Sequence, residues 1–157
     1  MTFASLFGKE LEPVTVDRDL GVMLDANLTF NEHIVSTVSS CLSRLGQINR
    51  VKHFFDKTTV IIIINLLVFS QLFYCSSVWS STTQSNLDKL KAVQNFACTI
   101  VSGAGKFDHI TPLLKEFRWL PVKQQLYFRI AVLVFKCLTW CAPALPFRQG
   151  QAGTRKC

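Results

Sequence analysis

Charge is what this chain has least of. Only 17% of its 157 residues are charged, and none falls between Thr58 and Leu87. Acidic side chains are the scarcer sign: ten carboxylates stand against seventeen lysines and arginines, a formal net charge of +7. With 49% hydrophobic residues and a mean hydropathy of +0.28, the chain must bury much of its surface or pack against more protein. One domain with a true core fits this length, and two do not. The basic excess, spread along the chain, favours an anionic partner, either nucleic acid or an acidic membrane surface.

Other absences narrow the chemistry. No charged start running into an apolar stretch marks a secretory leader. The six cysteines, Cys41, Cys75, Cys98, Cys137, Cys141 and Cys157, are scattered, mostly through apolar segments where a thiol behaves as a small hydrophobe. A reducing intracellular compartment, cytoplasmic or nuclear, is the simpler expectation. Asp17 and Asp19 have a D-x-D spacing able to offer two oxygens to a metal, but they sit in a polar turn around Arg18. Cys137 and Cys141 share a helix face at i, i+4, yet structural zinc wants four ligands and no second pair follows. His33, His53 and His109 are isolated from one another. Gly103-x-Gly105 followed by Lys106 is a fragment of a phosphate loop without the full G-x-x-x-x-G-K-S/T pattern. No catalytic constellation emerges, and the expectation is no metal, no cofactor and no enzyme activity in this chain alone.

Long apolar runs are the one thing in excess. Val60–Trp79, VIIIINLLVFSQLFYCSSVW, is long enough to be read as a single membrane pass through residues 58–79, since ~20 mainly apolar residues span a bilayer. The other reading is a fully buried helix, apolar on every side, at the centre of a bundle. Asn65 in its middle, the Ser70–Gln71 interruption and basic flanks on both sides favour the buried helix.

The rest of the chain reads as a mainly α helical bundle with a short N-terminal β-hairpin or two-strand lead-in. Residues 1–27 carry extended signals: Phe3, Leu6 and Phe7 before Gly8, then Pro13, the β-branched run Val14–Val16, and LGVMLD at Leu20–Asp25. Thr29 and Glu32 form a T-x-x-E capping box ahead of a helix striped by Ile34, Val38, Cys41, Leu42, Leu45 and Ile48. Asp56 is placed to cap the apolar run. Ser85 and Asp88 signal the next helix start; Leu87, Leu90, Val93, Ala97, Ile100 and Val101 face inward, while Lys89, Lys91 and Gln94 can point outward. Gly103 and Gly105 end that helix. Thr111-Pro112 opens a short helix through Phe117. Pro121 marks a last helix striped by Leu126, Ile130, Leu133, Val134, Cys137 and Leu138, which Pro143 and Pro146 stop. The division expected is a lead-in at 1–27, a helical domain at 28–146 and a basic, frayed tail at 147–157.

Basic side chains lie throughout the helical part, interleaved with Phe54, Phe55, Phe96, Phe107, Trp119 and Tyr127. Basic groups neutralise phosphates and aromatics can stack on bases, although most of these aromatics read as core. The expected contacts to a nucleic-acid backbone are Arg44, Arg50 and Lys52 on one side and Lys89, Lys91, Lys106 and Arg118 on the other.

Five segments in order carry a family resemblance: DLGVMLDANLTFNEHI at 19–34, LSRLGQINRVKHFF at 42–55, LLVFSQLFYCSSVW at 66–79, LDKLKAVQNFA at 87–97 and KFDHITPLLKEFRWLPVKQQLYFR at 106–129. Together they resemble the region after the catalytic palm in reverse transcriptases of non-LTR (LINE-type, jockey-like) retrotransposons. The resemblance implies a thumb-like helical domain that closes over template–primer and holds its backbone, and it counts against the membrane reading. It also implies that the polymerase aspartates belong upstream of this region. The family pattern would put arginine near Thr99 and Gly105 and an acidic residue near Ile130, so the expected nucleic-acid affinity is weak. The expectation is a truncated or decaying copy of a mobile element, or a translated relic without a selected role. Sparse charge and unpaired strand edges also predict self-association.

Overall fold

Strands do form ahead of residue 27. The computed structural model describes residues 5–6, 9–10, 16–103 and 109–141. Within these, β1 (Ser5–Leu6) pairs antiparallel with β2 (Lys9–Glu10), and β3 (Val16–Asp19) with β4 (Val22–Asp25). The second pair turns at Leu20 and Gly21, whose φ values of 45° and 86° are both left-handed, the geometry of a two-residue hairpin whose twist matches its strands. Leu20 therefore belongs to the turn, not to a strand beginning there. The expected strand residues Val14 and Thr15, the helix terminator Gly105, Pro143 and Pro146, and the tail at 147–157 lie outside the described residues.

Helix α1 (Asn31–Val51) follows, but not through the expected capping box. Asp25 intervenes. Its carboxylate accepts from the amides of Asn27 (3.1 Å), Thr29 (3.0 Å) and Phe30 (2.7 Å) and from the Thr29 hydroxyl (2.9 Å). The Thr29 hydroxyl oxygen in turn accepts from the Asn31 amide (3.4 Å), and left-handed Phe30 occupies the cap position without a side-chain bond. The cluster ties β4 to α1, and the Thr29 amide above all holds the Asp25 carboxyl below its usual range. His33, Ile34, Cys41, Leu45 and Ile48 are buried, whereas Leu42, expected in the stripe, is exposed.

The long apolar run is not one helix. Asp56 caps α2 (Lys57–Ile64) as expected, accepting from the Thr59 amide at 3.1 Å. A π-helical turn, Asn65–Phe69, then passes into α3 (Ser70–Leu72), and left-handed Cys75 breaks the path before α4 (Ser76–Trp79). The Trp79 indole donates to the Tyr74 carbonyl freed at the break (2.9 Å). Nor is the run apolar-buried on every side. Val60, Ile64, Val68 and Leu72 enter the core, but Ile62, Leu66 and Leu67 face out, Leu66 at 66% exposure. Among the described residues no helix is long and apolar enough to cross a membrane.

Helix α5 (Gln84–Ser102) is capped by Thr83, two residues before the expected start, through its hydroxyl to the Asn86 amide (3.4 Å). Gly103 closes it at φ 69°, a conformation glycine adopts freely. Lys89 near the start of α5 bonds Asn31 at the start of α1 (3.1 Å), and Lys52 just past α1 bonds Ile100 near the end of α5 (3.2 Å). The two helices thus run side by side in one direction. Cys41, Leu45, Leu90, Val93, Ala97 and Cys98 between them are fully buried, each large aliphatic contributing about 1.5–3 kcal/mol. Burial pushes both the Cys41 and Cys98 thiols up to about 11, marking them as core cysteines.

Helix α6 (Ile110–Glu116) ends in a reversed turn with Arg118 at φ 56°. The Trp119 amide reaches back to the Leu114 carbonyl (2.8 Å) and the Arg118 amide to Lys115 (3.1 Å), the two-bond helix stop that usually uses glycine where Arg118 stands. Helix α7 (Val122–Lys136) with its π-helical extension Cys137–Cys141 completes the described chain. Only Val122 and Leu126 of α7 are buried; Leu133, Val134 and Leu138, expected to face a core, are exposed, Leu138 at 77%. The physical reason is that beyond Leu126 this face of α7 borders an open cleft beside Phe73–Ser77 and not packed core.

Candidate nucleic-acid interface

The expected basic residues are distributed over several surfaces. Lys89 is bonded to Asn31 and to the buried Asn86 (3.0 Å), and Lys52 occupies the carbonyl end of α5. These two lie near opposite ends of α1, about 30 Å apart along the helix. Arg50 is exposed on the last turn of α1. Lys91 lines a separate cleft of about 290 Å³ with Asp88 and Lys123. Lys106 lies outside the described residues. Arg44 and Arg118 remain, and each borders a larger cleft.

The first cleft, about 600 Å³, lies between the β3–β4 hairpin, α1 and the Ser70–Tyr74 segment. Its floor is a polar stripe on one face of α1: His33, Ser36, Thr37, Ser40 and Arg44, which repeat at helical spacing. Strand alternation adds Arg18 to it. In the hairpin register Arg18 is opposite Met23, which also lines the cleft, whereas Asp17 and Asp19 are opposite Leu24 and Val22. The carboxylates are thereby kept off the cleft side. Arg18 stands at the His33 end, where burial first and then its charge lower the imidazole pKa. The His33 Nδ1 accepts from the Met23 amide at 3.4 Å. Arg44 marks the other end, about 16 Å along α1.

Arg44 is positioned by the π-helical turn. Such a turn widens the hydrogen-bond ladder and leaves carbonyls without their ordinary partners. The Arg44 guanidinium donates to the Leu67 carbonyl (2.7 Å) and the Cys41 thiol reaches the Val68 carbonyl (3.7 Å). Ser40 and Gln71 bond across the same seam (3.1 Å), and the Ser70 hydroxyl bonds the Leu66 carbonyl. An exposed arginine is thus held in place by the irregularity of the neighbouring helix.

The second cleft, about 540 Å³, meets the first at Ser70 and is lined by Asn65, Phe69, Phe117, Arg118, Trp119 and Arg129, among others. Its walls are built of packed rings. Trp119 stands edge to face against Phe69 (4.7 Å) and Phe117 (5.3 Å), and Arg129 lies over the Phe73 ring at 5.1 Å. The Trp119 indole N–H is buried without an oxygen or nitrogen acceptor. Gln94, expected to point outward, is instead buried beneath this region. Its amide donates to the Leu120 carbonyl (2.8 Å) and its oxygen accepts from the Val122 amide (3.2 Å), so α5 clamps the α6–α7 connection. A third cleft of about 410 Å³ shares Phe73, Gln125 and Arg129 with the second and adds Phe128 and Lys136.

No carboxylate is among the residues lining these three clefts. The residues not anticipated here are Arg18, Arg129 and Lys136. Arg18 was legible in principle, because a period of two separates it from its acidic neighbours; the other two needed the docking angle of α7. Among the described residues no three His, Cys, Asp or Glu side chains gather where a metal ion would fit. What the arrangement can do chemically is bind anions and stack planar groups.

No family model matches the chain, and no solved structure matches it. It is similar to a Drosophila melanogaster protein described as a probable RNA-directed DNA polymerase from transposon BS, 24% identical over 127 residues. The match covers 74% of this chain and 14% of that protein, so the chain spans a small part of its relative's length.

Proposed function

We propose that this chain corresponds to the thumb region of a non-LTR, jockey-like retrotransposon reverse transcriptase and grips the backbone of template–primer nucleic acid without polymerising on its own. The observation that carries the reading is the row of clefts bordered by Arg18, Arg44, Arg118 and Arg129 with no carboxylate among their lining residues. The similarity to a transposon RNA-directed DNA polymerase supports it. Arginine forks suit phosphate oxygens, and a carboxylate-free lining spares the phosphates repulsion. Polymerisation needs two metal ions held by carboxylates in line with the primer end, and this reading assigns those carboxylates to a region upstream of this chain.

Anisotropy titration of a labelled RNA–DNA duplex tests the reading. If the four arginines each neutralise one phosphate, log affinity falls against log salt with a slope of about −3.6. Sequence preference should be slight, because phosphate contacts carry no base information. The same protein with primer, template, nucleotides and magnesium should give no extension. Binding indifferent to salt, or extension above background, would refute the proposal.

A further inference from the structure

The three clefts form a series rather than three separate sites. The first and second share Ser70; the second and third share Phe73, Gln125 and Arg129. Followed in order, the path carries Arg18, Arg44, Arg118, Arg129 and Lys136, five cations on walls contributed by the hairpin, α1, the α6–α7 connection and α7. Two aromatic rings stand half-exposed beside it, Tyr74 at 50% in the first cleft and Phe128 at 55% in the third. Neither ring is spent on the core. Tyr74 is fixed by its hydroxyl, which donates to the Leu20 carbonyl at 3.1 Å. Between them the exposed Arg129 is braced on Phe73.

We infer that this groove is a track for single-stranded nucleic acid, with phosphates on the five cations and bases stacked on Tyr74 and Phe128. The inference rests on the nucleic-acid reading above and deepens it by naming the strand state. A duplex presents phosphates but keeps its base faces stacked internally, so rings on a groove wall are useless to it. A single strand offers both, and a basic groove with interspersed aromatic platforms is the physical arrangement that holds one. The Arg129 guanidinium plane gives a further stacking surface. Sequence preference should again be slight, since every base has a face to stack.

The test is anisotropy with a labelled 20-nucleotide thymidine strand and a duplex of equal length, using the whole chain. The strand should bind about tenfold more tightly, with a salt slope near −3.5 for five contacts on a single strand. Tyr74→Leu and Phe128→Leu should each weaken strand binding about tenfold and leave duplex binding unchanged. Phe128→Trp should restore it, and Lys115→Ala, off the path, should change nothing. Circular dichroism on every variant verifies that the fold is intact. Equal or tighter duplex binding, or aromatic variants without effect on the strand, overturns the track while leaving the backbone reading standing. Failure to bind either probe removes the nucleic-acid reading and the track with it.

Discussion

Gln94 is the polar side chain on which the second cleft depends, and replacing it isolates that dependence. It is 2% exposed on α5 and bridges Leu120 and Val122 across Pro121. Val122 opens α7, so its amide is one of the helix-start donors with no partner inside the helix. Proline at the cap position brings no side-chain acceptor to it, and the Gln94 oxygen supplies one from another helix. Gln94→Met keeps the volume and removes both bonds. Stranding the Val122 amide costs about 1–3 kcal/mol, and losing the Leu120 bond about a further 0.5–1.5 kcal/mol. The expected loss is therefore about 1.5–4.5 kcal/mol, a large share of a total in the range of about 5–15.

Urea unfolding followed by tryptophan fluorescence and by circular dichroism measures it, and amide exchange locates it. Exchange should accelerate in α6 and α7 and stay unchanged in α1. Gln94→Glu provides the pH control. A carboxyl buried against the Leu120 carbonyl has its folded pKa raised above the unfolded value near 4.3. Its stabilising, protonated form is then fully present below that value and lost as pH rises through the folded pKa. The Glu variant should be closer to wild type at pH 5 than at pH 8. A Met variant within about 0.5 kcal/mol of wild type, or one whose exchange rises uniformly, would refute the clamp.

His33 gives an acid-side signature. Burial and Arg18 lower its folded pKa below 6.5, so the unfolded chain binds the extra proton first and stability falls as pH drops from 6.5 through the folded value. A His33→Gln variant should lose that dependence in denaturation series between pH 7 and 5. Arg118→Gly should relieve a left-handed residue worth about 1 kcal/mol, raising the urea midpoint while weakening duplex binding and flattening its salt slope by about 0.9. Val134 and Phe135 at the end of α7 and Leu138 in its π-helical extension are exposed, and sedimentation should show concentration-dependent self-association that Val134→Gln with Phe135→Gln reduces.

How much of this was legible in sequence follows from which interactions are local. The caps at Asp56 and Gly103 and the stripe Ile34–Cys41–Leu45–Ile48 depend on neighbours within a turn or two, and they appear where spacing puts them. The Thr29 box failed because left-handed Phe30, not Thr29, takes the cap position, where the Asp25 carboxylate on the preceding strand holds the amides of both residues. Gln94 misled for a different reason. An amide among lysines reads as solvent-facing until Leu120 and Val122 are packed over it, and that contact is 26 and 28 residues distant. The apolar run misled because hydropathy carries no information on a π-helical turn or on left-handed Cys75, which together expose Leu66 and Leu67 while Val68 stays buried.

The same distinction explains the candidate surface. Counting basic residues along helices picked out Arg44 and Arg118, but also Lys89 and Lys52, whose ammonium groups bond side chains and carbonyls of their own fold. A lysine is a compact donor on a flexible stem, readily recruited to bridge helix ends; an arginine's planar fork can bond one carbonyl and keep donors in reserve. Arg44 does this, donating to Leu67 from a cleft that also holds Ser36, Thr37 and Ser40. The π-helical turn thereby fixes the arginine: its Leu67 carbonyl accepts from Arg44 and anchors that side chain at the cleft. Arg118 makes the complementary case. A helix stop that would be more stable with glycine carries instead a charged residue at the edge of the second cleft. Strain held at a position of this kind, beside a surface lined with cations, is what the Arg118→Gly comparison of stability against duplex binding weighs.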